Sequence, residues 1–256
     1  MNNTSGVTPR IEVANCRFYE MLFGSIAMVV LFIVQVLAGK TGWAIAHLFS
    51  YRKIDFYNVY ARLSVHHVTQ MIIALAITVV LSKLLKIDFG LKLGDTKKGM
   101  NYLKVYTVAF TIFTLAYHIL MYIYNILPSY DFPLNKSNVL GTLGFQLLLS
   151  GTSEEILYRA LPITVLVYVF GKSVHVKWNI TLETIIASIL FAIAHIKWSL
   201  SPFTMDVNCF QLFYAFVLGT IQGKVYQETH SILYPMCMHS VSNVLMVGTG
   251  YLFISL

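Results

Sequence analysis

Gly151-Thr152-Ser153-Glu154-Glu155-Ile156-Leu157-Tyr158-Arg159 sets two carboxylates and a guanidinium inside an apolar run. Leu143, Phe145, Leu147, Leu148 and Leu149 precede it, and Ile163, Val165, Leu166, Val167 and Val169 follow. A charge at membrane depth is costly and by default marks function. On a helix, residues four apart share a face while adjacent residues diverge by about 100°. Glu155 and Arg159 are therefore neighbours that can pair, which lowers the cost of burying both. Glu154 points to another face, toward Tyr158 and Gly151, and is left free for chemistry. Gly151, Thr152 and Ser153 are small enough to let a second helix approach closely.

The composition around this stretch is that of a membrane protein. Of 256 residues, 57% are hydrophobic and only 11% charged, against about 25% charged in a soluble domain. Mean hydropathy is +0.69. The expectation is an all-α, polytopic transmembrane helical bundle of about seven to eight spans with a polar intramembrane cavity. The net charge of +7 sits mostly between apolar runs, where it sets topology; it does not imply nucleic-acid binding. Cys16, Cys209 and Cys237 form neither a disulfide framework nor a CxxC metal pair.

Outward from the motif, the spans read as 22–39, 65–82, 105–127, the long stretch 138–171, 180–197, 209–223 and 231–254. The first twenty residues, with Arg10 and Arg17, form a polar tail. Val36 and Ala38 loosely resemble a signal-peptidase site, but a run of about 18 residues favours a retained span. Residues 41–51 are too short to span and read as interfacial. The lysines from Lys83 to Lys104 make that loop cytoplasmic; the N-terminus follows it only if 41–62 does not cross. As one helix, 138–171 would be about 50 Å long, so a break or kink is expected near Pro162. Two regions result: a tail and first spans over 1–87, and a chemical core over 88–256.

Two further polar pairs lie in the later spans. Phe191 and His195 share a face at i, i+4, with small alanines between them; His239 and Asn243 do the same. A free carboxylate, two imidazoles and an amide thus come from three helices. A carboxylate in a poorly solvated site can take a proton from water, helped by a neighbouring histidine. A second imidazole and an amide can donate to a developing oxyanion. Glu154, His195 and His239 could instead hold zinc through N and O ligands. Both routes hydrolyse an amide bond. A lone histidine on an apolar helix is usually packed and hydrogen-bonded, and His118 and His47 are read so. His66-His67 is read as interfacial, Glu183 and Glu228 as solvated. The chain has no HExxH, no GxSG around Ser153 and no GxGD at Asp95.

At these residues the sequence resembles the CPBP family, the CAAX-protease and bacteriocin-processing intramembrane proteases, also called Abi proteins. Its pattern is EExxxR, then FxxxH, then HxxxN or HxxxD. Here it reads Glu154-Glu155 to Arg159, Phe191 to His195, and His239 to Asn243, in that order, and the resemblance covers about residues 90–254. It implies Glu154 as general base with His195, and His239 with Asn243 at the oxyanion or completing the polar cluster. It implies a supporting Glu155–Arg159 pair and Phe191 on the substrate path. The family has been called metalloproteases, and a metal-free glutamate mechanism is also argued for it. Relatives process prenylated CaaX proteins or secreted peptides, or act in bacteriocin self-immunity. The small chain looks more like the bacterial kind, in a bacterial cell membrane.

The expected function is an intramembrane endopeptidase acting on a peptide or protein segment at the lipid bilayer. Two other classes compete with it: a non-proteolytic partner that binds a bacteriocin target, a sensor kinase or another membrane protein, and a small transporter relaying protons. No paired half-segments support the transporter. A straight helix over 138–171 with Glu154 far from His195 would remove the hydrolytic mechanism.

Overall fold

The apolar periodic runs become helices, and four of those are both long and apolar enough among the described residues to cross a membrane: Met21–Ala46, Ala61–Leu85, Thr96–Ile123 and Leu233–Ile254. Only 17% to 39% of each apolar window is buried by protein, so these helices offer most of their surface to lipid and the chain is an integral membrane protein. The computed structural model describes residues 8–200 and 203–256; residues 1–7 of the expected polar tail lie outside the described residues.

Seven helical rods follow in order: α1 (Thr8–Ala46), α2 (Ala61–Leu85), α3 (Thr96–Ile123), α4 (residues 136–170), α5 (Leu182–Ile193), α6 (Cys209–Thr229) and α7 (Leu233–Ile254). Antiparallel hairpins flank α5: β1–β2, pairing His175–Lys177 with Ile180–Thr181, and β3–β4, pairing Lys197–Leu200 with Phe203–Asp206. The architecture is all-α, and among the described residues four of the rods contain a helix long and apolar enough to cross a membrane. The expected crossing over 180–197 is a 12-residue helix, about 18 Å long, because the chain leaves the helix after Ile193 and enters β3 at Lys197.

Residues 41–46, expected to be interfacial, continue α1, and residues 47–60 contain no helix. That loop is closed by Asp55, whose carboxylate accepts from the backbone N–H of Val59, Tyr60 and Ala61 at 2.9, 2.8 and 2.7 Å and so satisfies orphan donors at the start of α2. Trp43, near the end of α1, stacks on His66, near the start of α2, with centroids 4.4 Å apart. The two helices therefore run back alongside each other, and the start of α1 shares a side with the basic loop after α2. Short polar residues cap the later helices: Asp95 accepts from Lys98 N at 3.0 Å, Asn135 from Asn138 N at 2.9 Å and Asn208 from Gln211 N at 3.0 Å.

Rod α4 is the centre of the bundle. Leu157, Leu161, Ile163 and Leu166 are fully buried in it. No break occurs at Pro162. The rod stays helical throughout but widens into π-helical turns at Gln146–Ser150 and Ile156–Ala160. Proline lacks an N–H and clashes with the preceding turn. The second π turn, closed by Leu161 N to Ile156 O, lies just before Pro162 and accommodates it. The two glutamates thus lie between two π turns and Arg159 lies in the second; such turns recur at functional sites.

Glu183, expected to be solvated, is fully buried in the first turn of α5. Its carboxylate accepts from Gln227 Nε2 at 3.0 Å and from Val174 N at 3.3 Å, so a partner 44 positions away in the chain replaces water.

Candidate functional site

Glu155 and Arg159 are both buried, with Oε1 to Nη1 at 3.4 Å. A charge pair at this depth needs further partners. Arg159 has two: Nη2 donates to Gln222 Oε1 on α6 at 2.9 Å, and the guanidinium lies 3.8 Å from the Phe191 ring centroid, a cation–π contact. Phe191, implied to line the substrate path, is itself buried. It covers the guanidinium and meets the His195 ring edge-on at 4.7 Å.

The same Glu155 oxygen holds His239. His239 Nδ1–H donates to Glu155 Oε1 at 2.8 Å. That leaves Nε2 facing Glu154 Oε2 at 3.6 Å. The motif helix reaches α7 this closely because of Gly151. A Cβ there would lie 2.8 Å from Met236 O and 2.8 Å from Ser240 Oγ. Asn243, one turn beyond His239, donates from Nδ2 to Ser150 Oγ at 2.9 Å, which leaves its second amide hydrogen and its carbonyl.

His195 lies in the turn just after α5. Its Nδ1–H donates to Phe191 O at 2.9 Å. A carbonyl only accepts, so Nε2 carries the lone pair of the neutral ring. The other carboxylate oxygen of Glu154 meets a residue that the sequence reading put at the interface. His67 Nδ1 is 3.7 Å from Glu154 Oε1 and 2.8 Å from Ser153 Oγ. His66 and His67 are both buried, because α1 packs over this end of α2.

Glu154 has 18% of its side chain exposed, whereas Glu155 has none. The accessible surface of Glu154 borders two cavities. One, of ≈ 630 Å³, lies between α1, α2 and α5 and is walled by Phe32, Trp43, His66, His67, Tyr158 and His195 among others. The other, of ≈ 310 Å³, is walled by Ser150, Gln222, His239 and Asn243, together with His67 and His195. Glu154, His67, Phe191 and His195 border both. The structure thus brings Glu154, His195, His239 and Asn243 to one polar cavity.

Among the described residues, no three His, Cys, Asp or Glu side chains are placed to share a metal ion. Glu154, His195 and His239 are therefore not assembled as a zinc site, and the chemistry below rests on the side chains alone. Three contributors lacked a local signal: His67, Gln222 and Ser150. Only the polar cluster His66-His67-Gln70 inside an otherwise apolar α2 hinted that this helix faces something other than lipid.

No curated protein and no solved structure matches the chain. The family model described as Rce1-like, type II CAAX prenyl endopeptidase, matches residues 136–245. That segment runs from the first turn of α4 into α7, and it includes Glu154, Glu155, Arg159, Phe191, His195, His239 and Asn243 while excluding α1, α2 and α3. Over residues 136–245 the chain is similar to the Rce1-like, type II CAAX prenyl endopeptidase family.

Proposed function

We propose that this protein is a CAAX-type intramembrane endopeptidase in which Glu154 activates the hydrolytic water. The observation that carries the proposal is the setting of Glu154. Of the two adjacent carboxylates only this one reaches the cavities, and its oxygens lie 3.7 and 3.6 Å from ring nitrogens of His67 and His239. Those separations are too long for direct hydrogen bonds and short enough for one water to touch both partners.

The steps use the chain's own groups. A water beside Glu154 gives a proton to the carboxylate as its oxygen attacks the scissile carbonyl carbon. His195, with its Nε2 lone pair toward the cavity, accepts the water's other hydrogen and orients it. The negative charge that develops on the carbonyl oxygen needs donors. Asn243 offers its remaining amide hydrogen. His239 donates from Nε2 as an imidazolium, whose charge Glu155 balances from the opposite ring nitrogen; the logic is that of a carboxylate-oriented histidine. Glu154 then returns its proton to the leaving nitrogen, and the C–N bond breaks. Arg159 pairs with Glu155 in an apolar place, and Gln222 and Phe191 hold Arg159.

The matched family favours maturation of prenylated proteins over processing of secreted peptides or self-immunity as the biological setting, and the larger cavity, walled by Phe32, Trp43 and Tyr158, suits an apolar peptide. The reading is tested in cells carrying wild-type protein or Glu154→Gln at equal level. New protein termini are profiled by mass spectrometry in membrane fractions. A terminus that vanishes in the variant while its precursor accumulates supports the proposal and names the substrate. Identical profiles, with an effect on the cell still following the protein's presence, would point to the non-proteolytic binding role.

A further inference from the structure

We propose that His67, on α2 and outside the segment that carries the family motifs, is a positioning residue of the active site. It would hold the Glu154 carboxylate from the side opposite His239. The inference rests on Glu154 as the base.

His67 is held as a donor. Ser153 Oγ lies 3.1 Å from Ser150 O and donates to that carbonyl. Its single proton is then spent, and it accepts from His67 Nδ1–H at 2.8 Å. The nitrogen that meets Ser153 also lies 3.7 Å from Glu154 Oε1. Glu154 sits between two imidazoles, one per oxygen, and its rotation about the terminal bond is opposed from both sides. The ring itself is clamped. Phe145 meets it edge-on at 5.0 Å, and His66 meets it edge-on at 5.2 Å. His66 is in turn stacked on Trp43, where Gly42 makes room: a Cβ at position 42 would fall 2.7 Å from His66 Nδ1. The α1–α2 hairpin thus fixes one ring of a site whose other members come from α4, α5 and α7. A histidine that merely fills space has no reason to place its donor nitrogen beside the carboxylate that borders both cavities.

The test compares three substitutions by the yield of the terminus that depends on Glu154, normalised to protein level. His67→Ala removes the donor, His67→Asn places an amide where Nδ1 stands, and His67→Gln places it near Nε2. Misplacing a catalytic group by about 1 Å can cost about 100-fold. His67→Ala and His67→Gln are expected to lose about 100-fold, and His67→Asn to stay within about 10-fold of wild type. Thermal midpoints of the purified variants are measured alongside, and those of Asn and Gln should match. Activity that follows the midpoint instead of the donor position, Gln equal to or above Asn, or Ala within about 3-fold of wild type would overturn the proposal. If His67→Ala does not fold, the Asn–Gln comparison alone decides. Wild-type yield in Glu154→Gln would sink the peptidase reading itself, whereas a silent Glu154→Gln beside active His67 variants would sink only this inference.

Discussion

Glu155 separates what stabilises this site from what makes it work. Its carboxylate is fully buried, 3.4 Å from Arg159 Nη1 and 2.8 Å from His239 Nδ1. Replacing it with leucine strands the Arg159 guanidinium, whose Nε and Nη1 already lack hydrogen-bond partners. Removing one member of a buried pair costs about 3–5 kcal/mol, or about 9–15 °C in thermal midpoint at about 3 °C per kcal/mol. Replacing Arg159 with leucine as well removes the stranded charge. An apolar pair in place of a buried ion pair is neutral or better, so the double variant should regain most of the midpoint. Activity should not return, because His239 has lost the acceptor that fixes its tautomer and balances its charge. A loss of at least about 100-fold is expected in both variants. Midpoints come from thermal unfolding in detergent, and activity from the yield of the Glu154-dependent terminus. A double variant that is stable and active would refute the assignment of Glu155 to His239. A single variant as stable as wild type would refute the pairing energetics.

Three further outcomes follow from the geometry. Gly151→Ala puts a methyl 2.8 Å from the backbone oxygen of Met236; forced separation of α4 and α7 should cost about 1–3 kcal/mol and lower the thermal midpoint and the yield together. Phe191→Leu removes the ring 3.8 Å from the Arg159 guanidinium, so the midpoint should fall by the equivalent of about 2 kcal/mol, whereas an unchanged midpoint would show that Gln222 and Glu155 suffice. In the loop after α2, Lys92 hydrogen-bonds Asp88, and Gly90 N donates to it at 2.8 Å, which holds the carboxyl below the ordinary aspartate value of 3.8. A depressed carboxyl stabilises the fold above its unfolded pKa and loses that contribution as pH falls. Asp88→Asn should therefore lower the midpoint slightly at neutral pH, with the difference closing in acid, and a gap that widens in acid would contradict the sign.

How far the sequence could be read depends on where each signal lives. Charges inside apolar runs are conspicuous, and i, i+4 spacing converts them into shared faces, so Glu154, Glu155, Arg159, His195 and His239 could be picked out without coordinates. The same local rule misplaced His67. Nothing within α2 says that α1 folds back over its first turns, and a histidine beside Arg62 near a span edge looks interfacial. Glu183 was misread for the same reason, since its shield is Gln227 on another helix. The rod over 136–170 held a different difficulty. Pro162 announces a disturbance, but whether a helix breaks or widens depends on whether neighbours satisfy the freed carbonyls, and the two π turns have no signature in residue type. Hydropathy reported the apolar run at 180–197 and not the turn that ends α5 at Ile193, so that run forms a helix of 12 residues.

The central claim is that Glu154 moves the proton of the attacking water. Its most direct test uses purified wild-type protein and Glu154→Gln, each in lipid vesicles with the precursor identified in cells, and follows photo-crosslinking and cleavage in the same samples. The account predicts that both proteins crosslink the precursor equally and that only the wild type shortens it. Cleavage by Glu154→Gln within about 10-fold of the wild-type rate, less than the loss expected for a missing general base, would contradict it, as would a wild-type protein that binds the precursor and leaves it intact.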